Sequence, residues 1–408
     1  MLKVQDLVGI SKQINTPAYV FSAGEFKTRA EQTTEILGPD VNICYSIKAN
    51  PFLLSALPDE FSKVEVCSPG ELSICMALRV DPEMIIYSGL NKGPEDVASA
   101  VDYGVGVLTA ESSLHLKYIN EAAAQRGVKA KVLARASAGS QFGIDRHELP
   151  SVLAAHADYP NIEFVGLHFF TGTQKRKSKE VIKELNYLER YIDELREASG
   201  LALPRIEYGA GLPAYMFCDS DLKTQDDAWA AELDMLREIA EPLRQLAKKS
   251  ELTVEMGRFF AASCGHYFSR VVDSKVNDGV RYVIIDGGSH QVRYYGQMQG
   301  MQLPFTDIAD PDEVGKEPVA AASDNDGWTV CGSLCTTADV LARNVDYHRS
   351  EFAGGEVLVF HQAGAYSLYE CMSLFLSRDM PSIYIMESDG SLKEYRSRID
   401  TDIFNRQQ

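Results

Sequence analysis

No stretch of this 408-residue chain reaches the roughly 18 consecutive apolar residues that a membrane-crossing helix needs. The opening MLKVQDLVGISKQ has no apolar signal core, so the expected setting is the cytoplasm. Positive charge is also short: 40 Lys and Arg stand against 58 Asp and Glu, a net charge of -18 with a pI near 4.9. That balance argues against nucleic acid or an anionic membrane as a partner, while leaving room for a local basic pocket. Cysteines occur at 44, 67, 75, 218, 264, 331, 335 and 371. Cys331 and Cys335 are four apart, but no second Cys or His pair gives zinc-like spacing. Free thiols and no metal site are expected. Low-complexity segments are missing, and the only repeat is the alternation that follows.

What is present is ordinary for a globular chain, with 45% hydrophobic and 24% charged residues. Ser22 can cap a helix running to about Leu37, stopped by Gly38-Pro39. Short apolar strands then recur at about 41–47, 63–67, 84–87, 105–108, 131–136, 164–169, 205–208 and 252–256. Helical patterns lie between them. Glu180–Ser199 carries one stripe of Val181, Ile182, Leu185, Leu188, Ile192 and Leu195 before Gly200. Asp226–Lys249 carries another, with a kink expected at Pro242. Eight strands alternating with helices predict an α/β fold, a parallel (β/α)8 barrel over residues 23–261. The pattern alone leaves a doubly wound open sheet as the alternative.

Beyond Gly257 the character changes. Strands are expected at His266–Val272, Arg281–Asp286, Gly327–Cys331, Glu356–His361 and Ser382–Met386, with short helices near Thr337–Asn344 and Ser367–Leu376. Asp307–Gly327 reads as a long acidic loop. This is a second, β-rich domain over 262–408, joined by residues 1–22.

Active sites of such barrels gather at the C-terminal ends of the strands. The strands deliver there Lys48, then Glu65 and Ser68, Arg135, His168, the turn Gly209-Ala210-Gly211, and Glu255 with Arg258. A lysine after a buried strand is more often a solvated loop residue than an amine in a dry pocket. A glycine-rich turn is equally well a tight αL turn, and Glu255 equally well an ion pair with Arg258. Together, and with Thr173 nearby, these residues favour a phosphate cradle beside an amine. A carboxylate there suits the pyridinium nitrogen of pyridoxal phosphate.

At this point the chain resembles, along essentially its whole length, the fold-type III pyridoxal-phosphate decarboxylases, the group of diaminopimelate and ornithine decarboxylase. YSIKAN resembles the cofactor-lysine motif Y-x-x-K-A-N, and VEVCSPGEL resembles D-V-x-S-x-G-E-L. SQFGI, GLHFFTGTQ, YGAGL and EMGR are similar to S-K-F-G, H-x-G-S-Q, G-G-G and E-P-G-R. DGG at Asp286–Gly288, GSLCTTADVL and GAY at Gly364–Tyr366 complete nine motifs in order. The resemblance implies an alanine racemase-like barrel, pyridoxal 5'-phosphate as cofactor, and a homodimer with shared sites. Lys48 would bind the cofactor covalently and His168 would stack on its ring. Thr173, Gly209, Ala210, Gly211, Arg258 and Tyr366 would hold the phosphate, with Glu65, Ser68, Arg135 and Gly257 lining the same site. Glu255 would pair with the ring nitrogen. Cys335 would reach into the partner subunit's site as a proton donor. Arg293, Thr336, Asp339 and Tyr366 would join Cys335 in binding substrate.

Departures bear on the substrate. Thr336 stands where diaminopimelate decarboxylases carry the Glu that faces the distal amino group. SHQVRYYG after Gly288 replaces the R-P-x-L-Y segment that helps bind the distal carboxylate. The expected activity is decarboxylation of an α-amino acid, with a modified or carrier-bound amino acid in place of diaminopimelate. A racemase of the same fold is disfavoured because racemases place Arg, not Glu255, at the ring nitrogen. A non-catalytic homologue is disfavoured because Lys48, Glu255, Arg258 and Cys335 are all kept.

Overall fold

The computed structural model describes residues 1–323 and 326–407. Its chain forms two compact units. One comprises residues 29–213 and 233–257; the other comprises residues 1–28, 214–232 and 258–408. Residues 214–232 therefore pack with the second unit although they lie between two barrel strands in sequence.

The first unit is a closed parallel barrel. Its strands are β2 (Val41–Ser46), β3 (Phe61–Val66), β4 (Ile85–Tyr87), β5 (Val107–Ala110), β6 (Ala130–Arg135), β7 (Ile162–Phe170), β8 (Arg205–Gly209) and β9 (Glu251–Met256), following β1 (Ala18–Ser22) of the other unit. Helices cover the outside of such a barrel and side chains fill the inside, so the strands read as nearly continuous apolar runs. Inside, Cys44, Ile86, Val107, Leu133 and Val165 form one apolar cluster. On the outside, helix Ser178–Ser199 buries Val181, Leu185, Leu188, Ile192 and Leu195, each burial contributing roughly 1.5–3 kcal/mol. Gly200 ends that helix in the left-handed conformation, at φ 71°. Pro242 lies inside the unbroken helix Gln225–Ala247.

The second unit is built on a ten-stranded mixed sheet. To β1 it adds β10 (Gly265–Asn277), β11 (Val280–Ile285), β12 (Thr306–Ile308), β13 (Ala320–Ala321), β14 (Trp328–Cys331), β15 (Val340–Asp346), β16 (Val357–Phe360), β17 (Ser382–Met386) and β18 (Leu392–Arg396). β1 lies between antiparallel β10 and parallel β17. An early helix, Val4–Ser11, packs Leu7 and Ile10 against Ala18, Val20, Phe268, Val357 and Tyr384.

Three expectations are corrected here. Thr337–Asn344 is not a helix: β15 starts at Val340 and pairs antiparallel with β14. Val340, Leu341, Ala342 and Val345 fit either periodicity, and strand pairing decides. Ser367–Leu376 holds only turns and the start of a short 3-10 segment at Phe375. The stretch 307–327 is not all loop, since β12 and β13 fall partly or wholly within it; its residues 324 and 325 lie outside the described residues. No helix among the described residues is long and apolar enough to cross a membrane.

Candidate active site

β2 ends at Ser46 and passes into a single 3-10 turn, Ile47–Ala49, that carries Lys48. The Tyr45 hydroxyl donates to the Asn50 carbonyl at 2.8 Å, and the Asn50 side chain accepts from the Phe52 amide at 3.0 Å. The turn is thereby fixed at both ends. Lys48 Nζ lies 2.6 Å from Glu65 Oε2 and 3.6 Å from Glu255 Oε1. Its side chain keeps 39% exposure while those of Glu65 and Glu255 keep 2% and 8%, so the amine is the member of this group open to an incoming molecule.

Barrel register explains how these groups meet. Ser46 stands beside Glu65, Cys44 beside Glu255, His168 beside Glu207, and Gly209 beside Glu255. The Ser46 hydroxyl donates to Glu255 Oε1 at 2.9 Å, and His168 Nε2 lies 3.1 Å from Glu255 Oε2. Burial alone would raise the Glu255 carboxyl, but the Lys48 ammonium and the His168 bond outweigh it and hold Glu255 well below the usual range. Glu207 is the opposite case: burial first, then the charges of Glu255 and Glu65, push it well above. Burial, then Glu65, also raises the Cys67 thiol, which donates to Glu65 at 3.2 Å.

Other expected residues of the barrel unit have different surroundings. Arg135 is buried against Glu111 at 3.2 Å and stacks on Phe142 at 4.6 Å. Ser68 caps helix Pro69–Leu78 by accepting from the Glu71 amide at 3.1 Å. Thr173 is exposed. Gly211 has φ 62°, and a Cβ there would lie 2.0 Å from the Gly172 carbonyl oxygen, so only glycine fits. A Cβ on Gly257 would meet the Ala49 Cβ at 3.0 Å. Ala210 is buried.

Sequence reasoning missed Glu207, Glu111 and Lys92. A Glu two residues before Gly209 on a buried strand shares its face, and that was the available signal. Lys92 is 3% exposed, and burial brings it down to about 8, against the pull of Glu111. Its amine donates to the Gly89 carbonyl at 2.5 Å.

The remaining expected residues belong to the sheet unit. Arg258 is buried, its guanidinium 4.5 Å from the Tyr366 ring and 4.9 Å from the Tyr295 ring, with Nε lacking a hydrogen-bond partner. Arg293, Cys335 and Thr336 are exposed. Asp339 is buried, and its two oxygens accept from the Ser289 and Leu334 amides at 2.7 and 2.8 Å. Its carboxylate thus anchors the loop that carries Cys335.

Residues 23–262, which build this site, match the family model "Pyridoxal-dependent decarboxylase, pyridoxal binding domain". The chain belongs to this family. Among curated relatives, it is 26% identical to the L-glutamyl-[BtrI acyl-carrier protein] decarboxylase of Niallia circulans, across 96% of this chain and 94% of that one. It is 25% identical to the diaminopimelate decarboxylase of Aquifex aeolicus, across 96% and 91%. The diaminopimelate decarboxylase of M. jannaschii, solved with L-lysine, superposes with a TM-score of 0.79 at 21% identity, covering 96% of this chain and 91% of that one. That likeness is one of fold.

Proposed function

We propose that this chain removes CO2 from an α-amino acid, using pyridoxal 5'-phosphate bound covalently through Lys48. The observation that carries this reading is Glu255, a buried carboxylate held ionised 3.6 Å from the Lys48 amine. The residues present fit the cofactor: an accessible amine, a glycine turn that admits no Cβ at Gly211, and a buried His168 whose Nδ1 lacks a partner. When bound, the cofactor supplies an electron sink for the pair released by C–C cleavage.

The protein's part is binding and proton placement. Glu255 would hold a proton on the ring nitrogen, because an ionised carboxylate in a dry site favours a cation beside it. Glu65, 2.6 Å from Lys48 Nζ, orients the amine. Thr173, Ala210, Gly257, Arg258 and Tyr366 are assigned to cofactor binding through the family motifs. Cys335, exposed on a loop held by Asp339, is proposed to donate a proton in the partner subunit of a homodimer.

The proposed substrate is a modified or carrier-bound amino acid. Thr336 and the missing distal-carboxylate segment support this over diaminopimelate, and so does the Niallia circulans relative, named for a carrier-bound glutamyl substrate. Borohydride reduction of the purified protein should leave a pyridoxyl adduct on Lys48, identified by peptide mass spectrometry and lost in Lys48→Ala. An adduct that persists on another lysine overturns the assignment. A CO2-release screen over free diamino, basic and acidic amino acids and carrier-loaded forms then reads the substrate, and racemisation without CO2 release would overturn the reaction class.

A further inference from the structure

Three carboxyl groups, Glu65, Glu207 and Glu255, face the single ammonium of Lys48 in the buried end of the barrel. Their hydrogen-bond accounts differ. Glu255 accepts from Ser46 and meets His168 and Lys48. Glu65 takes Lys48 and the Cys67 thiol. Glu207 is 1% exposed, and neither of its oxygens meets a donor. Its carboxyl lies within 4.8 Å of both the Glu255 carboxylate and His168. An ionised carboxylate buried with no donor beside a second carboxylate is strongly disfavoured. A proton resolves the conflict, since a neutral carboxyl group becomes a donor.

We propose that Glu207 is a neutral carboxylic acid that donates a hydrogen bond to Glu255, and so acts as the positioning residue for the carboxylate on which the proposed function rests. The proton belongs on Glu207 because Glu255 already has the Ser46 and His168 contacts and the Lys48 ammonium at 3.6 Å to stabilise its charge, and Glu207 has no donor. The sustained burial shift of Glu207 agrees with this placement. One negative charge is removed from the cluster, and Glu255 keeps its orientation without losing its ionisation. The geometry of His168, Glu207 and Glu255 would also enclose a divalent cation, which gives the test a clear contrary outcome: a metal-bound carboxylate has no acid carbonyl.

The test is infrared spectroscopy of the full-length protein at neutral pH, with glutamate isotopically labelled at its side-chain carboxyl carbon. A labelled acid-carbonyl band that shifts on deuteration and disappears in Glu207→Gln is the expected result. Absence of any such band in the unmodified protein overturns the proposal without recourse to a variant, and a band surviving in Glu207→Gln overturns the assignment. The positioning role has its own readout in the affinity of the apoprotein for pyridoxal phosphate. Glu207→Gln keeps an N–H donor and should bind within about threefold of the unmodified protein, whereas Glu207→Leu should bind about tenfold more weakly, the loss expected for one hydrogen bond to a charged group. Equal affinity in the Leu variant removes the positioning role. If the protein binds no pyridoxal phosphate at all, the proposed function fails, while the infrared band still decides the state of Glu207.

Discussion

Among the described residues, the barrel and the sheet unit each hold a cluster that joins acids to histidine, and only the barrel cluster is arranged like an active site. In the sheet unit, Glu25 Oε2 lies 3.1 Å from His266 Nε2, His266 Nδ1 lies 2.7 Å from His361 Nδ1, and His361 Nε2 lies 3.0 Å from Asp307 Oδ2. The second oxygen of Glu25 accepts from the Leu2 amide at 2.9 Å. Every bond in this chain closes on a partner within the unit. The barrel cluster also joins Glu to His but has the opposite balance: an amine 39% exposed, a His168 nitrogen without a partner, and a carboxyl group with no donor. A satisfied network stiffens a fold, and an unsatisfied one costs stability and leaves groups available to a ligand. The hydrogen-bond account, not the residue list, separates the two.

The comparison is sharpened most by removing the charge of Glu255. Glu255→Gln should slow CO2 release by ~100- to 1000-fold, the scale of losing a preorganised charge partner in a dry site. The borohydride-trapped adduct on Lys48 should survive, because the amine is held by Glu65. Near-normal turnover in this variant would mean that Glu255, like Glu25, is structural.

The mirror experiment breaks the sheet cluster. His361→Leu leaves the buried His266 and the partly exposed Asp307 without their shared partner and should cost ~2–4 kcal/mol of stability, read as a shift in the urea midpoint. In protein that remains folded, the Lys48 adduct should be unchanged. A negligible midpoint shift would show that the His–His contact contributes nothing beyond packing.

Much of the barrel cluster was legible in sequence because strand order and motif spacing are local. Lys48, Glu65, His168 and Glu255 each sit within two residues of the end of an apolar strand, and the closed barrel brings such ends together. Ser68 and Asp339 were readable as residues but not as roles: one caps a helix and the other anchors a loop, and both tasks depend on backbone amides that sequence does not display. The Glu25–His361 chain escaped altogether, because its four members come from four separate segments with no spacing rule. Ser367–Leu376 misled for a related reason. Its apolar residues suggest a helix face, yet Met372, Leu374, Phe375 and Leu376 are 54%, 44%, 41% and 50% exposed. Periodicity reports a buried face only where something covers it.

The smallest effects, and the most discriminating, are in pH. Asp307 is held below its usual range: burial opposes, but the His361 bond and charge prevail. A depressed folded pKa adds stability that is fully present above the unfolded value, about 4 for Asp, and is lost as pH falls through the folded value. The advantage of the unmodified protein over Asp307→Asn should therefore be largest near neutrality and shrink in acid. Glu207 runs the other way. Its folded pKa is raised, so below the unfolded value of about 4.3 both states hold the proton and nothing is lost. As pH rises past that value the unfolded chain releases a proton that the folded chain keeps, and stability falls by up to ~1.4 kcal/mol per pH unit until the folded value is reached. Glu207→Gln carries no such proton. Its stability relative to the unmodified protein should rise from pH 5 to pH 7, measured by urea unfolding at each pH. A flat difference across that window would mean that Glu207 is ionised in the folded protein, and the contrast between the two clusters would then lie in geometry alone.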